Sequence, residues 1–215
     1  LRLRPGATVY AFDGLGNEYE CVVRAVQGSQ ASLFIKTKAQ PNVESRLSIT
    51  LAQALAKGEK FDLIIQKATE LGAARLVPLI TEFTDKAAVH FQASTRVERW
   101  RRISLSATKQ SGRTQVMEIV EPMRFNDFLE TLSVPSIISS ERGGISLRQV
   151  EQNWRKNPPE GICVFVGPEG GWAEDELKAA RKVGAVAVSL GPRILRTETA
   201  GLVILSVLQY LFGDL

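Results

Sequence analysis

The chain predicts an α/β fold in which a mainly parallel sheet domain, residues 46–215, follows a small β-barrel domain, residues 1–45. Three observations carry this. Ile162-Cys163-Val164-Phe165-Val166 is an unbroken apolar run, the pattern of a strand buried on both faces of a parallel sheet. It leads directly into Gly167-Pro168-Glu169-Gly170-Gly171, and a second Gly-Pro turn, Leu190-Gly191-Pro192, opens into an apolar helix that ends near Phe212. Before Pro41 the chain reads as short strands joined by turns, whereas after Ser45 strands alternate with helical stretches.

The elements follow in order. Thr8 to Phe12, Tyr19 to Val26 and Ala31 to Ile35 are strands, with Asp13-Gly14-Leu15-Gly16-Asn17 as a turn. Pro41 to Ser45 is a linker. Leu47 to Leu51 is a strand, and Phe61, Ile64, Ile65, Ala68 and Leu71 keep helical spacing until Gly72 stops the helix. Arg75 to Leu79 is a strand, Thr95 to Ser111 a helix, Val116 to Val120 a strand and Phe125 to Leu132 a helix. Ser136 to Ile138 is a strand ending at a third polar glycine turn, Ser139 to Gly144. Leu147 to Trp154 is helical, and Pro158-Pro159 closes that segment.

Composition excludes several classes. With 44% apolar and 23% charged residues among 215, the chain is of ordinary globular make-up, and a net charge of +4 permits an anionic partner without requiring one. Cys21 and Cys163 are far apart and His90 is the only histidine, so neither a disulfide framework nor a metal cluster is expected. This suggests a reducing, cytoplasmic setting. His90, in a polar connection, reads as a surface residue, and Cys163 as an inert core thiol. The run from Ala200 to Phe212 is too short for a membrane span and contains Ser206 and Gln209, so no membrane partner is expected. The chain opens at Leu1 with no signal-peptide pattern, and the expectation is that leading sequence, including part of the barrel, precedes it.

Glycine turns at the carboxyl ends of parallel strands lie where open α/β sheets bind ligands. Neither Gly-x-Gly-x-x-Gly nor Gly-x-x-x-x-Gly-Lys-Ser/Thr is present, which disfavours dinucleotides and nucleoside triphosphates. At the start of the last helix, Thr197 reads as the N-cap and Glu198 suits the positive end of the helix dipole. Two arginines there, Arg193 and Arg196, do not, so Arg196 calls for an anionic ligand group or for Glu169 or Glu198 as partner. The helix from Thr95 carries a basic stripe, Arg99, Arg102, Lys109 and Arg113, opposite Trp100, Ile103 and Ala107. Such a stripe is either a solvated face or a phosphate contact.

The two glycine turns, with Ala54-Leu55-Ala56-Lys57-Gly58-Glu59-Lys60, Gln66-Lys67-Ala68-Thr69-Glu70-Leu71-Gly72 and Gln110-Ser111-Gly112-Arg113, resemble the RsmE family of bacterial 16S ribosomal RNA uracil-N3 methyltransferases. The resemblance spans essentially the whole chain. It implies a SPOUT-type domain with a trefoil knot, a PUA-like barrel before it, a homodimer, and the small ribosomal subunit's 16S rRNA as partner. S-adenosylmethionine would be held by Ser140, by Gly167, Pro168, Glu169, Gly170 and Gly171, and by Leu190, Gly191, Ile194, Leu195, Arg196, Thr199 and Ala200. Ala173, where a capping Ser or Thr is expected, departs from the pattern. The RNA contacts would be Arg99, Arg102, Lys109, Gln110 and Arg113.

Uracil N3 carries a weakly acidic proton, so the catalytic residues expected are Arg196, to stabilise developing charge, and Glu198, to orient Arg196 or accept the proton. Two rivals stand beside this reading: a related methyltransferase acting on another atom or another RNA, and a non-catalytic RNA-binding protein.

Overall fold

A computed structural model describes residues 3–39, 41–85 and 93–215. It divides into two compact units, Leu1–Glu44 with Thr108–Val116, and Ser45–Ala107 with Met117–Leu215.

In the first unit β1 (Thr8–Phe12), β2 (Glu18–Gln27) and β3 (Gln30–Ala39) form an antiparallel sheet in that order. The Asp13 carboxylate shapes the first turn by accepting from the Leu15 and Asn17 amides at 2.8 and 3.2 Å. Residues 114–116, which the sequence reading left in the second domain, are stitched to this turn: Gly16 N–H donates to the Thr114 carbonyl and Val116 N–H to that of Gly14, each at 3.2 Å. Cys21 and Val23 are buried, whereas every residue of β3 is exposed.

The second unit is built on a sheet of order β6-β5-β4-β10-β8-β11-β9, with β7 also paired to β5. Its strands are β4 (Ser48–Ala54), β5 (Arg75–Ile80), β6 (Glu118–Ile119), β7 (Met123–Arg124), β8 (Ser136–Ser139), β9 (Ile145–Ser146), β10 (Gly161–Val166) and β11 (Val186–Ser189). Every pairing among them is parallel across the described residues. Hydrogen bonding to β4 on one side and β8 on the other makes β10 central, which is why Ile162 to Val166 are apolar without alternation.

Helices cover both faces: α1 (Glu59–Glu70), α2 (Ala93–Ser111), α3 (Phe125–Glu130), α4 (Leu147–Trp154), α5 (Glu174–Lys182) and α6 (Thr197–Phe212). Alternate strand residues define the two cores. Ile49, Leu51, Ile162, Val164 and Val166 pack with Phe61 and Ile64 of α1, Trp100 of α2 and Ile204, Leu205 and Leu208 of α6. Ala52, Cys163 and Phe165 pack on the other face with Phe125 and Phe128 of α3, Trp172 and Ala180. Leu71 and Gly72 end α1 as expected, Gly72 at φ 77°.

Two strand boundaries and two short strands around the sheet differ from the sequence expectation. Only Glu118 and Ile119 of the strand expected over 116–120 enter the sheet, because the residues before them bond to the 14–16 turn. The strand expected to stop at Leu51 continues to Ala54, and the two-residue strands β7 and β9 carry no readable pattern.

Candidate active site

Parallel strands align their carboxyl ends, so the segments leaving β8, β10 and β11 emerge on one edge of the sheet. They line a single cavity of about 370 Å³ together with Lys60 of α1 and Ala200 of α6. Hydrogen bonds bolt the three segments to one another. Trp172 Nε1 donates to the Ser139 carbonyl at 2.8 Å, Ser140 N–H to the Val188 carbonyl at 2.9 Å, and Thr197 Oγ1 to the Gly167 carbonyl at 2.6 Å.

Of the residues expected to hold a ligand, Ser140, Gly167, Pro168, Glu169, Gly170, Gly171, Leu190, Gly191, Ile194, Leu195, Arg196 and Ala200 all border this cavity. Thr199 and Glu198 do not. The wall also includes Arg142, within the Ser139–Gly144 turn, and Lys60 and Trp172, which lie outside the three expected turns. Lys60 had a signal, since it closes the Ala54-to-Lys60 motif.

The glycines serve different ends. Gly171 and Gly191 have φ of 76° and 100°, which only a residue without a β-carbon adopts readily. Gly167 is required by Trp172, whose indole lies 3.0 Å from where a β-carbon would stand, and Gly170 by Phe83, whose Cβ would be 2.9 Å away. Both glycines also border the cavity, and the protein's own side chains already leave no space for a β-carbon at either.

Several charged residues find unexpected partners. Glu169 pairs with Lys60 and not with Arg196. Among the described residues Arg196 and Glu198 make no ion pair; Arg196 is exposed on the wall, and Glu198 Oε2 is buried with no hydrogen-bond partner. Thr197 is not the N-cap of α6. That position is Arg196, without a side-chain cap, and the Thr197 hydroxyl is turned inward to Gly167. At the start of α5 the weak cap Ala173 is compensated by Glu176, whose carboxylate accepts from Ala173 N–H at 3.0 Å and from Glu82 N–H at 2.9 Å.

On α2, Trp100 and Ala107 are buried as the helical spacing predicts. Arg102, Lys109 and Gln110 are exposed, Arg99 bonds Asp62 at 2.5 Å, and Arg102 is 3.8 Å from Glu98. Arg113 leaves the stripe: it is 6% exposed and binds Glu44 through Nε at 2.9 Å and Nη2 at 2.8 Å. The helix ends at Ser111 and Gly112 has φ 74°, so helical periodicity no longer governs the side chain that follows. Burial pushes the Cys163 thiol up to about 12, which keeps it inert. His90 lies outside the described residues. Among the described residues no cluster of His, Cys, Asp and Glu is placed to hold a metal, and no helix is long and apolar enough to cross a membrane.

A family model described as an RNA methyltransferase domain matches residues 43–209. The Synechocystis ribosomal RNA small subunit methyltransferase E is 35% identical, over 98% of this chain and 68% of its own. The chain belongs to this methyltransferase E family. The Bacillus subtilis member is 31% identical over 98% of this chain and 84% of its own length. The crystal structure of the Neisseria gonorrhoeae member, bound to S-adenosyl methionine, superposes with a TM-score of 0.90 at 33% identity, covering 99% of this chain and 86% of that one. The sheet and the three site segments thus follow the methyltransferase E fold over nearly the whole chain.

Proposed function

We propose that the protein transfers the methyl group of S-adenosylmethionine to N3 of a uridine in 16S rRNA of the small ribosomal subunit. Membership of the methyltransferase E family makes it an S-adenosylmethionine-dependent ribosomal RNA methyltransferase. The observation that carries the finer reading is the convergence of the three segments on one cavity with Arg196 in its wall.

The cavity suits the cofactor chemically. Its volume is in the range of small-molecule sites, backbone amides and carbonyls of the glycine turns offer polar partners, and Leu190, Ile194, Leu195 and Trp172 offer apolar surface. The bound sulfonium supplies an electrophilic methyl group. The chain's own residues do the rest: Arg196, in the cavity wall, stabilises the negative charge on the uracil as its N3 proton is lost to solvent and N3 attacks, and Glu198, whose buried Oε2 does not border the cavity, acts behind it in the first turn of α6. The uridine is splayed out of its stack to reach the cavity.

The same reading takes in the chain's wider architecture. The second unit is a SPOUT domain whose return from β11 to α6 forms a trefoil knot, and the antiparallel sheet of the first unit belongs to a PUA-like RNA-binding barrel. Arg99, Arg102, Lys109 and Gln110 of α2 contact RNA in this reading; burial of Arg113 argues against including it. A homodimer covers α6, where Leu202, Val203, Val207 and Leu211 are only half-buried and Tyr210 is exposed. The protein acts in the cytoplasm, where ribosomal subunits are. Nucleoside mass spectrometry of 16S rRNA from a strain lacking the gene tests the reading: 3-methyluridine should disappear from one position, and its retention there would refute it.

A further inference from the structure

Gln53, near the end of β4, is 0% exposed in a strand whose neighbours Leu51, Ala52 and Ala54 are apolar. Its amide nitrogen donates to Thr197 Oγ1 at 2.9 Å and to the Ala54 carbonyl at 3.2 Å. Thr197, 6% exposed, passes its own proton to the Gly167 carbonyl at 2.6 Å. The direction of this chain is determined: a hydroxyl that donates to a carbonyl can only accept from Gln53, so the amide must turn its nitrogen to Thr197. The amide oxygen is then left buried with no partner, on the side where α6 passes with Gly201. A β-carbon at Gly201 would lie 3.2 Å from that oxygen.

A leucine at position 53 would pack in an apolar strand without an unpaired carbonyl, so packing does not account for the amide. What the amide does is connect. It ties the end of β4 to the first residue of α6, and through that residue to the first residue of the glycine turn after β10. Thr197 sits between Arg196 and Glu198, the two residues to which the proposed chemistry is assigned.

We propose that Gln53 is a positioning residue for methyl transfer, acting through Thr197 to hold Arg196 and Glu198 in register with the Gly167 turn. Its effect is on turnover more than on folding, since what it sets is the direction of the first turn of α6. This inference rests on the proposed function and deepens it.

The test uses the full chain and compares Gln53→Leu, Thr197→Val, Thr197→Ser and the double variant Gln53→Leu/Thr197→Val. Three quantities are read: kcat for methylation of small ribosomal subunits, S-adenosylmethionine affinity by calorimetry, and Tm. Gln53→Leu and Thr197→Val should each lower kcat about 10- to 100-fold, with cofactor affinity within about 3-fold of wild type, as expected when an interaction matters mainly in the transition state. Thr197→Ser should retain most of the activity, and the double variant should be no worse than the worse single one, because both break the same chain. Tm of Gln53→Leu should be unchanged or higher. The inference is overturned if Gln53→Leu keeps wild-type kcat, if its loss of rate follows a loss of Tm, or if the two substitutions add. A wild-type protein without methyl transfer would instead sink the proposed function.

Discussion

Phe83 is packed so tightly on Gly170 that a β-carbon added to the glycine would stand 2.9 Å from the Phe83 Cβ. The turn carrying Phe83 cannot easily retreat, because Thr81 N–H bonds Thr84 Oγ1 at 2.8 Å and Glu82 N–H is held by Glu176. Gly170→Ala is therefore expected to cost about 1–3 kcal/mol by overpacking and to weaken cofactor binding by shifting the 167–171 turn. Urea unfolding and calorimetry check this. Phe83→Gly in the same chain, which removes the clashing atom, should recover part of the lost stability; no recovery would mean that Gly170 is required for ligand approach instead.

Arg113→Ala should destabilise the protein by about 2–3 kcal/mol, since it removes the charge-assisted bonds to the part-buried Glu44 carboxylate, which keeps only the Thr114 and Gln115 amides. Chemical denaturation measures it. A surface arginine would cost far less.

Acid should act through the same pair. Burial by itself would raise the Glu44 carboxyl, but the Arg113 guanidinium and the Gln115 and Thr114 amides outweigh it and hold the group below its ordinary value of 4.5. A depressed carboxyl contributes its stability in full above the unfolded value and loses it as pH falls through the folded one. Unfolding free energy should therefore decline as pH drops below about 4.5, and Glu44→Gln should flatten that decline while lowering stability at pH 7. Equal slopes for the two proteins would contradict the assignment.

Arg102 and Lys109, both exposed on α2, are the residues to reverse in a test of RNA contact. Arg102→Glu/Lys109→Glu should weaken RNA binding and reduce its salt slope by about 0.7 to 0.9 per lost phosphate contact, with cofactor affinity unchanged. Filter binding across a salt series reads both. A wild-type slope would make the stripe a solvated face.

Much of the site was legible in the sequence because it rests on features with local signatures. Apolar runs mark parallel strands, and glycines mark the turns at their ends, so the segments after Ile138, Val166 and Ser189 are assigned to one edge of one sheet by the sequence alone. What was not legible depends on partners distant in the chain. Thr197 before an apolar helix has every local mark of an N-cap, yet its hydroxyl bonds a carbonyl thirty residues earlier. Arg113 fitted the basic stripe until Gly112 broke the helix and Glu44, 69 residues away, claimed it. Gln53 lay beyond the end of the strand as read, and nothing local says that a glutamine there is buried. Glu169 is one of three partners that charge alone allows for Arg196, beside an anionic ligand group and Glu198; Lys60, 109 residues away, is the residue it binds.

Arg196→Ala should lower kcat by 100-fold or more while changing S-adenosylmethionine affinity by less than about 5-fold, because its charge is needed mainly as the uracil anion develops. Single-turnover methylation beside calorimetry separates the two. Equal losses would reduce Arg196 to a binding contact.

The most direct measurement incubates the purified protein with methyl-labelled S-adenosylmethionine and small ribosomal subunits from a strain lacking the gene, followed by nucleoside mass spectrometry of the 16S rRNA. Label is expected in 3-methyluridine at one position, approaching one methyl group per subunit and absent with Arg196→Ala. Label in any other nucleoside, or none, would contradict it.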